Sequence, residues 1–213
     1  MDEKKRLVLI GGGGHCRSVL DAAKRMGLFE EIVVTDHSMV AGTEFMGCKV
    51  AGGDEVLPQL FQAGFGMAFV SVGSIKGTRL REELCRKVEA EGFGLPNIID
   101  PSAVVSDYAR IGKGVFVGKN AVINAGVRVG DMAIINTGAV IEHGCRIGSF
   151  SHVSVGAVVC GDSELGDSVF VGANATVIQG VRIGMGSIIG AGSLVLGDAG
   201  PGSRLTGRGG GKM

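Results

Sequence analysis

Histidines are the side chains in this sequence best suited to acid–base chemistry, and there are only four: His15, His37, His143 and His152. Imidazole gains and loses a proton near neutral pH, so a histidine can accept a proton from an attacking amine or hydroxyl group. His143 follows an aliphatic residue by two places in a strictly periodic region, which predicts that it points outward or into a groove. Taken alone, such a histidine is more simply interpreted as a surface residue on a corner.

A six-residue repeat runs from Ile99 to Val195. Every sixth residue is Ile, Val or Leu at 17 successive positions, and the residue four places after each of the first 16 is Ala, Ser, Cys or Val. The pattern predicts short strands joined by corners, with the aliphatic residue inside and the small residue where the chain bends. It resembles the hexapeptide arrays of acyltransferases, which form left-handed parallel β-helices with three sides and about 18 residues per coil.

Stacked coils place residues from distant parts of the sequence side by side. Gly161 follows His143 by one coil and is predicted to lie about 5 Å from it. Its backbone N–H could donate to a thioester oxygen and stabilise an oxyanion. A glycine needed only for the turn is the alternative. The same spacing places Asn124 beside Glu142, which adds polar groups near the histidine.

The N-terminal half has a different pattern, in which apolar strands alternate with helices. Strands are predicted over 7–10, 32–34 and 67–70, and helices over 15–26 and 79–90. This order predicts a small Rossmann-like parallel sheet with helices against it. The chain is therefore expected to have an α/β N-terminal domain over residues 1–97, followed by a left-handed parallel β-helix over residues 98–213.

A run of four glycines, Gly11 to Gly14, joins the first strand to the first helix. Backbone N–H groups at a helix N-terminus can hold a phosphate, with His15 beside it. Asp36, at the end of the second strand, could contact a ribose or a base. A dinucleotide-binding turn is the alternative, but Cys16 or Arg17 stands where that motif has its third glycine.

Composition excludes several classes of function. Lys and Arg number 21, as do Asp and Glu, so no net charge favours nucleic acid or an anionic membrane. No apolar run reaches the roughly 18 residues of a membrane span, and the apolar run near the N-terminus is too short for a secretory signal. The five cysteines are widely spread without a CxxC pair, which predicts reduced thiols in a cytoplasmic protein and no metal site.

Three stretches resemble a known family of bacterial sugar acetyltransferases: LVLIGGGGHCRSVLD, FVSVGSIKGTRL and INTGAVIEHGCRIGSFSHVSVGAVVCG. The family includes UDP-4-amino-sugar (bacillosamine-pathway) N-acetyltransferases and sialic acid O-acetyltransferases, and the resemblance covers almost the whole chain. It implies that the α/β domain binds a nucleotide sugar. It also implies a homotrimer with inter-subunit active sites, in which acetyl-CoA, the co-substrate, lies between neighbouring β-helices.

The resemblance also implies roles for individual residues. His143 would be the general base, and the backbone N–H of Gly161 would bind the thioester carbonyl. Family members often have an acidic residue directly after the base; here that residue is Gly144, which leaves Glu142 as a candidate to orient the histidine. Adjacent strand residues normally face opposite ways, which argues against that role. The remaining implied contacts are acetyl-CoA binding by His152, Gly161, Gly190 and Ala191, and sugar or nucleotide binding by Gly13, His15, Asp36, Gly73 and Asn136.

The sequence therefore predicts an acetyl-CoA-dependent N-acetyltransferase that acts on a nucleotide-linked amino sugar in bacterial surface glycan or glycoprotein biosynthesis. Transfer would be direct. An acetyl-cysteine intermediate would need an activated thiolate, and Cys145 occupies the small-residue position that predicts core packing. Two alternatives remain, an O-acetyltransferase for sialic acid or another sugar, and a non-catalytic β-helix used for binding.

Overall fold

The computed structural model describes residues 5–73, 77–207 and 211–212. The chain divides into two compact units, with the second beginning at Ile99. We propose that each unit is a domain, with the boundary at the predicted position between residues 97 and 98.

The first unit is a five-stranded sheet with three helices, and its strand order is β3-β4-β2-β1-β5. The strands are Lys5–Ile10 (β1), Phe29–Thr35 (β2), Glu44–Phe45 (β3), Cys48–Gly52 (β4) and Met67–Val70 (β5). The helices are Gly14–Met26 (α1), Leu57–Gln62 (α2) and Arg79–Ala90 (α3), and a 3-10 turn over Asp54–Val56 precedes α2. Strands β4, β2, β1 and β5 are parallel, whereas β3 forms a hairpin with β4. The predicted strands and helices are confirmed; the hairpin and α2 were not predicted.

Burial explains why β1 is an interior strand of this sheet, between β2 and β5. Its residues Leu7 to Ile10 are no more than 1% exposed, as expected for an apolar strand covered on both faces. Helix α1 buries Val19 and Leu20 and ends at Gly27, whose φ of +66° lets it close the helix. The glycine loop is thereby fixed at the carboxyl end of β1.

The second unit is a left-handed parallel β-helix with three flat faces, named here A, B and C. Face A contains Ile98–Ile99, Phe116–Val117, Ile134–Ile135, His152–Val153, Phe170–Val171, Ile188–Ile189 and Arg204–Thr206, with Gly211–Lys212 antiparallel to the last. Face B contains Val104–Val105, Val122–Ile123, Val140–Ile141, Val158–Val159, Thr176–Val177 and Leu194–Val195. Face C contains Arg110–Ile111, Arg128–Val129, Arg146–Ile147, Glu164–Leu165 and Arg182–Ile183.

The register within each face confirms the expected coil length. Val122 pairs with Val140, 18 residues later, and this step holds along the faces until Ile188 pairs with Arg204 in a shorter last coil. In each two-residue strand the second residue points inward; Ile141 and Val159, for example, are fully buried. These inward side chains form one continuous core along the helix axis.

The corners depend on a residue in the left-handed backbone conformation at every sixth position from Gly114 to Gly192. Most are glycine, which adopts a positive φ without strain. The others are Asn120, Met132, Phe150, Asp162, Ser168 and Asn174. The small residue predicted at the bend directly follows and is buried, as at Ala139.

Within residues 5–73 and 77–207, none of the helices has both the length and the apolar character needed to cross a membrane.

Candidate active site

His143 lies on the corner between faces B and C, two residues after the end of the strand Val140–Ile141. The next residue, Gly144, adopts the left-handed conformation at φ +70° and turns the chain toward face C. The imidazole therefore projects from the corner, as the sequence predicts, and is 67% exposed.

Gly161 lies against the imidazole from the next coil. A β-carbon built on Gly161 would lie 2.6 Å from Cε1 and 2.7 Å from Nε2 of His143. Gly161 is not among the residues with positive φ, so the turn itself does not require glycine there. Its N–H donates to no other described residue in the hydrogen-bond network. The ring thus lies against the backbone of Gly161, at a position without a side chain.

Two acidic residues lie close to His143. The Oε2 atom of Glu142 accepts a hydrogen bond from the backbone N–H of His143 at 3.3 Å, which ties this carboxylate to the backbone. Oδ2 of Asp162 lies 3.9 Å from Nδ1 of the ring, and the backbone N–H of Asp162 donates to His143 O at 2.9 Å. Asp162 was not predicted from the sequence, although its position one coil plus one residue after the histidine could have identified it.

Cys145 points away from this corner into the core and is fully buried. Its thiol donates to Cys160 O at 3.1 Å, and burial raises the pKa of Cys145 to about 11. The thiol is therefore protonated near neutral pH, which argues against an acetyl-cysteine intermediate. All five cysteines lie within the described residues, and none of them forms a disulfide there.

A second group of candidate residues lies on face A and on the corner between faces A and B. Nδ2 of Asn136 is 3.3 Å from Nε2 of His152, and Oδ1 of Asn136 accepts the Thr137 N–H at 2.8 Å. Because a backbone N–H can only donate, the amide oxygen faces Thr137 and the NH₂ group faces the imidazole. Nε2 of His152 is then the acceptor, and the neutral ring carries its proton on Nδ1. The ring is buried and packs edge-on against Phe170.

Gly190 and Ala191 follow the face A strand Ile188–Ile189 on this same corner. They lie three coils beyond Asn136 in the same register. The residues predicted to bind acetyl-CoA, other than Gly161, therefore line face A and its border with face B.

The two groups lie on different sides of one β-helix. In a three-sided prism the corner between faces B and C is opposite face A. His143 and His152 therefore project in opposite directions, and a single chain does not bring them together.

The structure brings several predicted residues together at the carboxyl edge of the α/β sheet. Gly13 precedes α1, and a β-carbon at Gly13 or Gly14 would have no neighbour within 4 Å, so this end of the helix is open. His15 is partly buried, and a β-carbon on Gly73 would lie 3.6 Å from its Cβ. The glycine loop, His15 and Gly73 thus border one space.

Asp36 connects the glycine loop to the turn after β2. Its Oδ2 accepts the Gly12 N–H at 2.7 Å, and its Oδ1 accepts the N–H and hydroxyl of Ser38 at 2.8 and 2.6 Å. The hydrogen bonds from Ser38 and Gly12 lower the pKa of Asp36, so it is ionised near neutral pH. Cys16, at the third glycine position of the dinucleotide motif, is buried against the sheet.

Two grooves on the surface lie away from these residues. One of about 750 Å³ follows face C beside Arg128, Arg146 and Arg182. The other, of about 1060 Å³, lies in the α/β unit near Arg6 and Phe29. Neither is lined by a predicted site residue. Within the described ranges, no group of three His, Cys, Asp or Glu side chains is arranged to hold a metal ion.

Comparisons with known families agree with the two-part architecture. Residues 6–88 match the PglD N-terminal domain, residues 108–143 match the hexapeptide repeat of succinyl-transferase, and residues 162–197 match the bacterial transferase hexapeptide (six repeats). A comparison with curated proteins found no match.

Solved structures resemble the chain over nearly its whole length. The acetyltransferase domain of PglB from Neisseria gonorrhoeae FA1090, in complex with acetyl coenzyme A, is 34% identical with a TM-score of 0.89, over 96% of this chain and 97% of that one. A histidine-to-asparagine variant of perosamine N-acetyltransferase from Caulobacter crescentus, in complex with CoA and GDP-perosamine, is 38% identical with a TM-score of 0.74, over 96% and 95%. WeeI from Acinetobacter baumannii AYE shares the fold at 20% identity and a TM-score of 0.83, over 95% and 97%.

Together, the β-helix and the α/β unit are those of a hexapeptide-repeat acyltransferase. The chain belongs to the family of bacterial sugar acetyltransferases that join a PglD-type N-terminal domain to a hexapeptide-repeat β-helix.

Proposed function

We propose that the protein transfers the acetyl group of acetyl-CoA to the amino group of a nucleotide-linked amino sugar. The observation that carries this proposal is the imidazole of His143 lying against the backbone of Gly161, one coil away. A base and an N–H donor at one point are the two groups that acyl transfer from a thioester requires. Relatives in complex with acetyl-CoA, and with CoA and GDP-perosamine, support the choice of both substrates.

In this mechanism Nε2 of His143 takes a proton from the sugar amine as the nitrogen attacks the thioester carbon. The carbonyl oxygen becomes an oxyanion, and the Gly161 N–H donates to it. Collapse of the tetrahedral intermediate breaks the carbon–sulfur bond. The imidazolium then returns its proton to the departing CoA sulfur, so His143 ends the cycle neutral.

The α/β unit would hold the nucleotide part of the acceptor. The open N–H groups at Gly13 and Gly14 are suited to a phosphate at the start of α1, with His15 and Gly73 beside it. Asp36 is ionised and tied to the loop, so it would contact the ribose or base from a fixed position. Asn136 is the proposed sugar contact in the β-helix.

We propose further that the protein is a cytoplasmic homotrimer with active sites between subunits. His143 and the acetyl-CoA residues His152, Gly190 and Ala191 lie on different sides of one chain. Two neighbouring chains are therefore needed to combine them. The exposed position of His143 on a convex corner agrees with a site that a neighbour completes.

The test is release of the CoA thiol from acetyl-CoA with a panel of UDP-, GDP- and dTDP-linked 4-amino sugars, with CMP-linked and free sialic acid included. Turnover with one amino sugar would support N-acetylation and identify the nucleotide. Turnover with sialic acid alone would make the enzyme an O-acetyltransferase. No turnover and no CoA binding would favour the binding-module hypothesis.

A further inference from the structure

We infer that Asp162 is the positioning residue of the proposed base, an inference that rests on the proposed function. Among the described residues, Asp162 is the acidic residue whose side chain lies within ion-pair distance of the His143 ring. Oδ2 of Asp162 is 3.9 Å from Nδ1 of His143. The hydrogen bond from Asp162 N to His143 O, at 2.9 Å, fixes the two backbones next to each other. A modest rotation of either exposed side chain closes the remaining gap to a hydrogen bond.

Gly144 leaves the space that the Asp162 carboxylate occupies. A β-carbon built on Gly144 would overlap with Oδ1 of Asp162. Any side chain at position 144 would therefore push the carboxylate away from the ring. The Asp162 carboxylate can occupy this position because the residue after the base, Gly144, has no side chain.

Glu142 does not compete for this role. Its carboxylate accepts the backbone N–H of His143 at 3.3 Å. It therefore approaches the backbone of the histidine, whereas Asp162 approaches Nδ1.

The position of Asp162 beside Nδ1 gives the two ring nitrogens of His143 different roles. With that gap closed, the Asp162 carboxylate accepts the Nδ1 hydrogen and favours the tautomer with the proton on Nδ1. Nε2 is then free to take the amine proton, and of the two ring nitrogens it lies nearer the position of a β-carbon built on Gly161, at 2.7 Å against 3.2 Å for Nδ1. When Nε2 becomes protonated, Nδ1 keeps its hydrogen, and the negative charge of Asp162 stabilises the imidazolium.

The stability of the fold does not explain why an aspartate stands at position 162. Its side chain is 74% exposed, and its φ of +58° is a conformation that glycine adopts with less strain. Asp162→Gly is therefore expected to fold at least as well as the parent protein. Ser168→Gly is a matched control, because Ser168 has a φ of +57° on the corner between faces C and A, away from the candidate residues.

The decisive experiment compares kinetics of the full-length protein and these two variants on the amino sugar found in the panel. We expect Asp162→Gly to lower kcat by about 10²-fold with the KM of acetyl-CoA and of the sugar unchanged, because the carboxylate contacts neither. Ser168→Gly should keep the parent kcat. In the double variant Gly144→Asp/Asp162→Gly, the carboxylate approaches the ring from the vacated side, and part of the lost kcat should return.

An Asp162→Gly protein with parent kcat would overturn the inference while the proposed function stands. An equal loss in Ser168→Gly would also overturn it, because the effect would then come from the backbone. A second measurement does not depend on turnover. The ¹⁵N shifts of the His143 ring, assigned by their loss in His143→Ala, should indicate a proton on Nδ1 in the parent protein and a shift toward the Nε2–H tautomer in Asp162→Gly. Identical shifts in both proteins would contradict the contact even if the panel shows no activity.

Discussion

At the residue scale, the proposed chemistry depends on two positions one coil apart. His143 supplies a side chain that can exchange a proton, and Gly161 supplies a backbone N–H at a position without a side chain of its own. Neither residue contributes much to folding at this position. The imidazole is largely exposed, and Gly161 has no positive φ that a larger residue would strain. Substitutions here should therefore separate activity from stability.

His143→Ala is expected to lower kcat by about 10² to 10⁴-fold, because the amine loses its general base. The melting temperature should stay within about 2 °C of the parent value, since an exposed side chain is removed. CoA release and thermal unfolding measure the two effects. Parent-like turnover would reject His143 as the base.

Gly161→Ala tests the backbone donor. The added methyl would collide with the His143 ring at Cε1 and Nε2, so the ring must move away from the amide. We expect kcat to fall by about 10² to 10³-fold with a near-parent melting temperature. Ala125→Gly, at the same register one coil before His143, is the control and should retain kcat. Full activity in Gly161→Ala would show that neither the ring position nor the amide matters.

At the element scale, the β-helix begins with a buried carboxylate. Asp100 is fully buried and accepts hydrogen bonds from the Ser102 N–H and hydroxyl at 2.9 and 2.6 Å and from Lys119 Nζ at 3.2 Å. Burial alone would raise its pKa, but these hydrogen bonds and the lysine charge outweigh burial and lower the pKa of Asp100 to about 2.

Because the folded pKa lies below the unfolded value, the stabilisation from Asp100 is complete above about pH 4 and is lost as the pH falls toward 2. Its size is on the order of 2 kcal/mol. Asp100→Asn should lower the free energy of unfolding by about this amount at pH 7, measured by urea titration. The difference between variant and parent should shrink below pH 4. A constant difference across this range would contradict the assignment.

At the scale of the whole molecule, the position of the two histidines predicts complementation between inactive chains. His143→Ala and His152→Ala proteins should each have little activity, yet mixed trimers formed by co-expression should recover about one quarter of the parent sites. Only a site that combines His143 of one chain with His152 of another can recover in this way. Mixed trimers as inactive as either variant would place both histidines in one chain's site, and light scattering would show whether trimers form.

Much of this architecture could be predicted because the residues that form each coil are close in sequence and their pattern repeats. Each six-residue unit carries its own inward aliphatic and small corner residue, so the coil length and the proximity of His143 and Gly161 follow from counting. In the α/β unit, β1, β2, β5, α1 and α3 were predicted from apolar runs and helix periodicity. The β3–β4 hairpin was missed because its turn is Met46-Gly47, both with positive φ, in place of a typical turn sequence.

The sequence alone therefore determined the two-part fold, the acyltransferase family and the one-coil spacing of His143 and Gly161. The tertiary structure decided the direction in which each of these side chains points. Glu142 approaches the backbone, Asp162 approaches the ring, and His152 lies on face A, opposite the corner that holds His143. A repeat fixes how far apart two residues lie along the helix, because every coil has the same length. The direction of a corner side chain depends on its backbone conformation and on the space its neighbours leave, as Gly144 leaves it for Asp162.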